Sequence, residues 1–125
     1  MSDQLKVLHV DDDDDIREIT MLALETVGGM QVVQASSGAE ALARVQSFRP
    51  DVLLLDVMMP EMSGEELLVQ LRANPDLSST PCIFMTARVQ ANEISGLKDQ
   101  GAVDVIQKPF DPMTLSDQIR AIIAT

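Results

Sequence analysis

The chain has 125 residues, of which 46% are hydrophobic and 23% charged, and this fits one soluble globular domain. A formal net charge of −11 argues against general binding to nucleic acid or to an anionic membrane, because both need basic surfaces. Cys82 is the single cysteine, so an internal disulfide is excluded and a reducing compartment is favoured. The first residues lack a signal-peptide pattern and no apolar run is long enough to cross a bilayer, so we expect a cytoplasmic protein.

Short apolar runs alternate with longer amphipathic stretches along the whole chain. The apolar runs predict strands at residues 5–10, 30–35, 52–55, 81–85 and 103–107. The amphipathic stretches predict helices at residues 15–27, 37–48, 63–73, 91–100 and 112–124. Strands that are apolar throughout, with helices between them, indicate an α/β fold with a parallel sheet covered on both faces. We expect one domain over residues 1–125, with no output domain after the last helix.

Residue types at the ends of these helices predict how several of them begin. The pairs Ser37 with Glu40 and Ser63 with Glu66 match the capping-box pattern. Asp15 is expected to cap the first helix, and Asp111 the last one, with Pro112 at its first position. Two apolar faces are predicted as well: Ile16, Ile19, Leu22 and Ala23 in the first helix, and Leu115, Ile119 and Ile122 in the last.

Polar side chains stand at the carboxyl ends of four predicted strands. Asp11 and Asp12 follow the first strand, Asp56 follows the third, Thr86 ends the fourth, and Lys108 follows the fifth. In an open parallel sheet these ends lie along one edge, where ligands bind at the point at which the strand order reverses. We therefore expect the five side chains to converge on one cleft.

The residue types at this edge indicate phosphoryl transfer. Three carboxylates in one cleft repel each other unless a cation is present, and Mg²⁺ prefers oxygen ligands of this kind. Lys108 adds a fixed positive charge and Thr86 a hydroxyl donor. A carboxylate nucleophile, a metal ion, a cation and a donor are the parts that this reaction uses, and an aspartyl phosphate is one covalent outcome.

Four short motifs carry a resemblance to a known family over the whole chain. They are Val10-Asp11-Asp12, the run Leu54-Leu55-Asp56-Val57-Met58-Met59-Pro60 with Gly64, Met85-Thr86-Ala87, and Lys108-Pro109-Phe110. In this order and at these strand ends, the sequence resembles the CheY-like receiver domain of two-component response regulators. The resemblance implies a flavodoxin-like (βα)5 fold with the doubly wound strand order 2-1-3-4-5.

The resemblance also implies roles for individual residues. Asp56 would accept a phosphoryl group from a phosphohistidine on a histidine kinase or a histidine phosphotransfer protein. Asp11, Asp12, Asp56 and the backbone carbonyl of Met58 would hold Mg²⁺, with Asp12 bound directly and Asp11 through water. Lys108 would contact both the phosphoryl group and the Asp56 carboxylate. The protein would be a signalling switch that catalyses only its own phosphorylation and dephosphorylation.

The resemblance implies, in addition, how the domain would switch. By resemblance, Thr86 would move toward the phosphoryl group, the Lys108-Pro109 bond would be cis, and a downstream effector would bind through roughly residues 89–125. Family members often carry an aromatic residue three positions before the lysine, and its ring moves with the threonine. Val105 holds that position here, so the aromatic half of the coupling is missing.

Simpler interpretations of the same residues stay open at this point. Asp11 to Asp15 could be a solvated acidic helix start, Asp56 a turn former, Thr86 a cap and Lys108 a surface lysine. His9, the single histidine, lies inside the first strand and is expected to be packed in the core rather than to act in the chemistry.

Two other functions compete with the switch. One is an interaction module that keeps the fold without being phosphorylated, which the valine at position 105 keeps open. The other is a Mg²⁺-dependent phosphohydrolase with an aspartyl intermediate. Haloacid-dehalogenase-like enzymes place a second aspartate two residues after the nucleophile, and Met58 stands there instead.

Overall fold

A computed structural model describes residues 4–87 and 90–124, and these form five parallel strands with helices on both faces of the sheet. The strand order is β2-β1-β3-β4-β5, which confirms the predicted flavodoxin-like fold. The strands are β1 Lys6–Val10, β2 Gln31–Ala35, β3 Val52–Asp56, β4 Cys82–Thr86 and β5 Asp104–Gln107. The helices are α1 Asp14–Met21, α2 Gly38–Arg44, α3 Gly64–Arg72, α4 Ala91–Asp99 and α5 Leu115–Ile123.

Two irregular segments accompany these elements. Helix α1 continues into a π-helical stretch, Leu22–Val27, and a short 3₁₀ turn, Pro75–Leu77, precedes β4. Among the described residues, no helix is long and apolar enough to span a membrane.

Alternation along the strands divides the core into two layers. In β3, Leu53 and Leu55 belong to the cluster under α2, α3 and α4, whereas Val52 and Leu54 belong to the cluster under α1 and α5. All five residues of β3 are buried because the strand is central and covered on both faces. Strand β4 is buried over its whole length in the same way.

The beginning of α1 differs from the prediction. The cap is Asp13, not Asp15, and its side chain accepts hydrogen bonds from the backbone N–H groups of Asp15 and Ile16. Each of the consecutive aspartates can serve as a cap in isolation, so the composition of the run does not identify the capping residue. The chain leaves β1 after Val10, and this geometry puts Asp13 at the turn.

The apolar face predicted for α1 was also wrong in part. Ile19 and Leu22 are 39% and 55% exposed, while Ala23 and Leu24 are fully buried. Thr20 is buried with them. The buried positions include a threonine, which a pattern drawn from apolar residues alone passes over.

Caps elsewhere follow the prediction to different degrees. Ser63 and Glu66 form the full reciprocal capping box at α3. At α2 the cap is Ser37, as predicted, but the Glu40 carboxylate accepts from the N–H and hydroxyl of Ser36 instead.

The regular part of α5 begins later than predicted, after Thr114 rather than after Asp111. Asp111 accepts a hydrogen bond from the Met113 N–H through its side chain and from the Leu115 N–H through its carbonyl. The Asp-Pro pair therefore makes a separate turn that leads into the helix.

Candidate functional site

The register of the sheet places the predicted residues along one edge. Val10 pairs with Leu55, so Asp11 and Asp56 follow at the same level on adjacent strands. Thr86 pairs with Gln107, and Lys108 is the next residue of that strand end. The edge opens into a cleft of about 490 Å³, lined by Asp11, Asp12, Asp13, Asp56, Met58, Thr86, Ala87 and Lys108.

Lys108 joins two strand ends through its ammonium group. The Lys108 Nζ donates to Asp11 Oδ2 at 2.8 Å and to Asp56 Oδ1 at 2.9 Å. The Asp11 side chain is fully buried, and those of Asp56 and Lys108 are 7% and 16% exposed. These contacts are shielded from water and are therefore much stronger than an exposed ion pair.

Asp12 completes a compact acidic cluster. One carboxylate oxygen from each of Asp11, Asp12 and Asp56 lies within 4.8 Å of the others, and Asp12 is exposed to solvent. With one ammonium against three carboxylates, the cluster keeps two formal negative charges. The donor set is therefore suited in charge, ligand type and spacing to a hard divalent cation.

The pKa values of Asp56 and Lys108 show the same excess of negative charge. Burial raises the pKa of Asp56 to about 6, and the charges of Asp11 and Asp12 add to that effect, although the bond from Lys108 opposes it. Burial opposes the charge on Lys108 too, but the hydrogen bonds to Asp11 and Asp56 outweigh it and raise the pKa of the amine. The Lys108 charge is thus well compensated, whereas the Asp56 charge is not.

Gly64 allows the loop after β3 to close tightly behind Asp56. A Cβ atom built at position 64 would lie 2.2 Å from the Asp56 carbonyl oxygen. The Gly64 N–H donates to the Val57 carbonyl at 3.0 Å, so α3 starts directly against the strand end. This contact gives a steric reason for the glycine in the second motif.

Thr86 lies at the boundary between two cavities. It is 2% exposed and lines both the acidic cleft and a cavity of about 200 Å³ that α4 residues Asn92, Gly96 and Leu97 border on the far side. Its carbonyl accepts the Lys108 N–H at 2.9 Å, and the Lys108-Pro109 bond is cis, as the resemblance implied.

His9 is packed in the core, as predicted. It is fully buried, and burial lowers its pKa to about 3, with Lys108 and Arg17 adding repulsion. It does not line the acidic cleft. Cys82 is buried as well, and burial raises the pKa of its thiol to about 12, so it is not a reactive group.

The contact of Arg17 with the acidic loop was not predicted from the sequence. Its Nη1 donates to the Asp11 carbonyl oxygen at 2.8 Å, which brings a cation from α1 to the backbone of the acidic loop. The spacing of six residues after Asp11 gave a weak signal, because an arginine in the first turns of an exposed helix usually faces solvent.

Comparisons with known proteins agree with this geometry. The response regulator receiver domain family matches residues 7–120. The transcriptional regulatory protein CseB of Streptomyces coelicolor is 41% identical over 123 residues, which is 98% of this chain and 51% of that protein. The response regulator MprA of Mycobacterium leprae is 42% identical over 95% of this chain and 51% of its own length. The chemotaxis response regulator CheY4 of Vibrio cholerae superposes with a TM-score of 0.88 at 34% identity, covering 96% and 99% of the two chains.

The chain therefore belongs to the response regulator receiver domain family of two-component signalling. It spans about half the length of the curated relatives that it matches. The family consists of signalling response regulators, and an acidic cluster able to bind a metal ion is present.

Proposed function

We propose that Asp56 accepts a phosphoryl group from a phosphohistidine, and that this changes the affinity of the domain for a partner. One observation carries the proposal: the Asp56 carboxylate lies in an open cleft, held by Lys108 and next to two further carboxylates. A buried turn former would have no need of this arrangement. The histidine would belong to a kinase or a phosphotransfer protein.

Asp11, Asp12, Asp56 and the Met58 backbone carbonyl would hold Mg²⁺, with Asp12 bound directly and Asp11 through water. The cluster fits because it offers hard oxygen ligands and two uncompensated negative charges. When bound, Mg²⁺ would lower the repulsion between the Asp56 carboxylate and the incoming phosphoryl oxygens.

The remaining residues supply position and charge. An Asp56 carboxylate oxygen attacks phosphorus, the bond from phosphorus to the donor imidazole breaks, and the released imidazole takes up a proton. The Lys108 ammonium stabilises the charge on the transferred group, and the Thr86 hydroxyl donates to one of its oxygens. Later attack by water returns Asp56 and inorganic phosphate, so the domain catalyses only its own phosphorylation and its loss.

The readout would involve the surface formed by α4, β5 and α5, roughly residues 89–125; its two end residues lie outside the described part of the chain. Thr86 lines the cavity next to α4, so a movement of Thr86 toward the phosphoryl group alters packing there. Val105 is partly buried in the adjacent strand and offers no ring to follow the threonine. Coupling would therefore pass through Thr86 and α4.

We infer further that residues 1–125 act as one receiver domain in the cytoplasm. The net charge of −11 disfavours direct contact with nucleic acid, so any output would come from an effector protein or domain.

The test is intact-mass measurement after incubation with Mg²⁺ and acetyl phosphate. We expect a gain of one phosphoryl group in the wild type, loss of that gain in Asp56→Asn or without metal, and full retention in Asp99→Asn, an exposed aspartate on α4. Absence of the gain in the wild type, both with acetyl phosphate and with a phosphohistidine protein, would contradict the proposal.

A further inference from the structure

We propose that Arg17 is a positioning residue for the metal-binding loop, which it acts on by fixing the peptide group between Asp11 and Asp12. The inference rests on the proposed function, because it concerns how the same carboxylates are held ready for Mg²⁺. Arg17 itself would touch neither the metal ion nor the phosphoryl group.

The contact is short and sheltered. Arg17 Nη1 donates to the Asp11 carbonyl oxygen at 2.8 Å, the Arg17 side chain is 21% exposed, and its Nη2 pairs with Asp14. A charged donor on a carbonyl in a partly buried place makes a stronger hydrogen bond than a neutral donor does.

Every other polar group of Asp11 already has a partner. Its N–H donates to the Ala35 carbonyl at 3.1 Å, Oδ1 accepts from the Asp13 N–H at 3.0 Å, and Oδ2 accepts from Lys108. The carbonyl is the group that directs the chain toward Asp12. Since a peptide group is planar, fixing this oxygen also fixes the nitrogen and Cα of Asp12, from which an exposed carboxylate projects.

A second set of contacts holds the backbone of Arg17 in place. The Gln34 side-chain amide donates to the Arg17 carbonyl at 2.7 Å and lies 3.1 Å from His9 Nδ1. Because this amide nitrogen is a donor, His9 accepts at Nδ1 and carries its proton on Nε2. That Nε2 is buried without a hydrogen-bond partner among the described residues, and leaving it unpaired lowers the stability of the core. The contacts of Gln34 with Arg17 and His9 thus link α1 to β1 and β2.

If Arg17 acted only through its charge, its removal would change Mg²⁺ affinity in the opposite direction from the one that a positioning role predicts. Loss of a positive charge next to an acidic cluster reduces repulsion of a cation and would tighten Mg²⁺ binding. Loss of positioning would weaken it, as does removal of the outer groups that orient metal ligands in other proteins. The sign of the change therefore separates the two effects.

The experiment is calorimetric titration of the unphosphorylated protein with Mg²⁺ alone. For Arg17→Met, which keeps the stem and removes the donors, we expect affinity about tenfold weaker, and for Arg17→Lys a partial return. The matched control is Arg44→Met, which removes an arginine paired with Glu40 on α2, away from the cleft, and should bind as the wild type does. Unchanged or tighter binding by Arg17→Met would overturn the proposal.

A metal-free measurement keeps this test separate from that of the proposed function. The Asp13 N–H donates to Asp11 Oδ1, so its hydrogen exchange reports on the order of the loop without Mg²⁺ or phosphate. We expect exchange at least about tenfold faster in Arg17→Met and less change in Arg17→Lys. Equal exchange rates would overturn the positioning role even if Asp56 is phosphorylated, and faster exchange would support it even if Asp56 is not.

Discussion

A cationic side chain lies at each end of the sheet, and the two have different kinds of partner. At the amino end, the Arg72 guanidinium donates to the carbonyls of Leu77, Thr80 and Gly101, which ties together the loops before β4 and β5. At the carboxyl end, Lys108 lies between the carboxylates of Asp11 and Asp56. The carbonyls around Arg72 are neutral and bring no negative charges together, so the first arrangement serves stability. The second keeps negative charge in a buried place, which costs stability and leaves the site ready for a cation.

The largest effect is expected where the carboxyl end is most tightly packed. Gly64→Ala should lower the free energy of unfolding by about 3 kcal/mol, because the new Cβ would overlap the Asp56 carbonyl oxygen. Gly96→Ala is the matched control, since no atom lies within 4 Å of its Cβ position on α4, and it should raise stability by up to about 1 kcal/mol. Urea unfolding measures both, and equal effects of the two substitutions would refute the steric role of Gly64.

Arg72→Met should cost about 2 kcal/mol of stability, because it leaves carbonyls of two loops without a charged donor. Phosphoryl uptake should remain at the wild-type level, since the opposite end of the sheet is untouched. Arg120→Met, which removes a single exposed contact to the Gly28 carbonyl, is the control with a smaller expected loss. A large loss of uptake in Arg72→Met at temperatures well below unfolding would show that the two ends are not independent.

Asp56→Asn should raise stability, whereas Gly64→Ala and Arg72→Met should lower it. Removing one charge from the uncompensated cluster is expected to raise the free energy of unfolding by about 1 kcal/mol at pH 7 without metal. Thermal unfolding in the presence of a chelator measures this gain. A loss of stability would mean that the carboxylate is better compensated by Lys108 than its raised pKa indicates.

The dependence on pH gives the smallest effect and combines two groups of opposite sign. His9 has a folded pKa of about 3, below its ordinary value of 6.5, so it makes the protein less stable as pH falls from 6.5 toward 3. Asp56 has a folded pKa of about 6, above its ordinary 3.8, so it makes the protein more stable as pH falls from 6 toward 3.8.

The two contributions oppose each other in the wild type between pH 4 and 6. We expect the stability advantage of Asp56→Asn to shrink by less than about 1 kcal/mol in total as pH falls through that range. His9→Val in the Asp56→Asn background should remove the remaining His9 slope. Parallel curves for wild type and Asp56→Asn would contradict the raised pKa of Asp56.

The edge of the sheet was predictable from sequence because parallel strands bring their carboxyl ends together whatever the packing details. Asp11, Asp56 and Lys108 needed only the strand ends and the strand order to be placed on the same edge. The buried face of α1 was only partly predicted, because it includes the polar Thr20, whereas the apolar Ile19 and Leu22 are exposed. The contact from Arg17 to Asp11 was equally hidden, since it depends on how α1 returns over the sheet.

The claim that Asp56 is the acceptor is tested most directly by locating the modified residue. Borohydride reduction of the phosphorylated protein converts an aspartyl phosphate to homoserine, which peptide mass spectrometry can place in the sequence. We expect homoserine at position 56 alone, in an amount that rises with Mg²⁺. Homoserine at position 11 or 12, or none in protein that has gained phosphate, would contradict the assignment of the cleft.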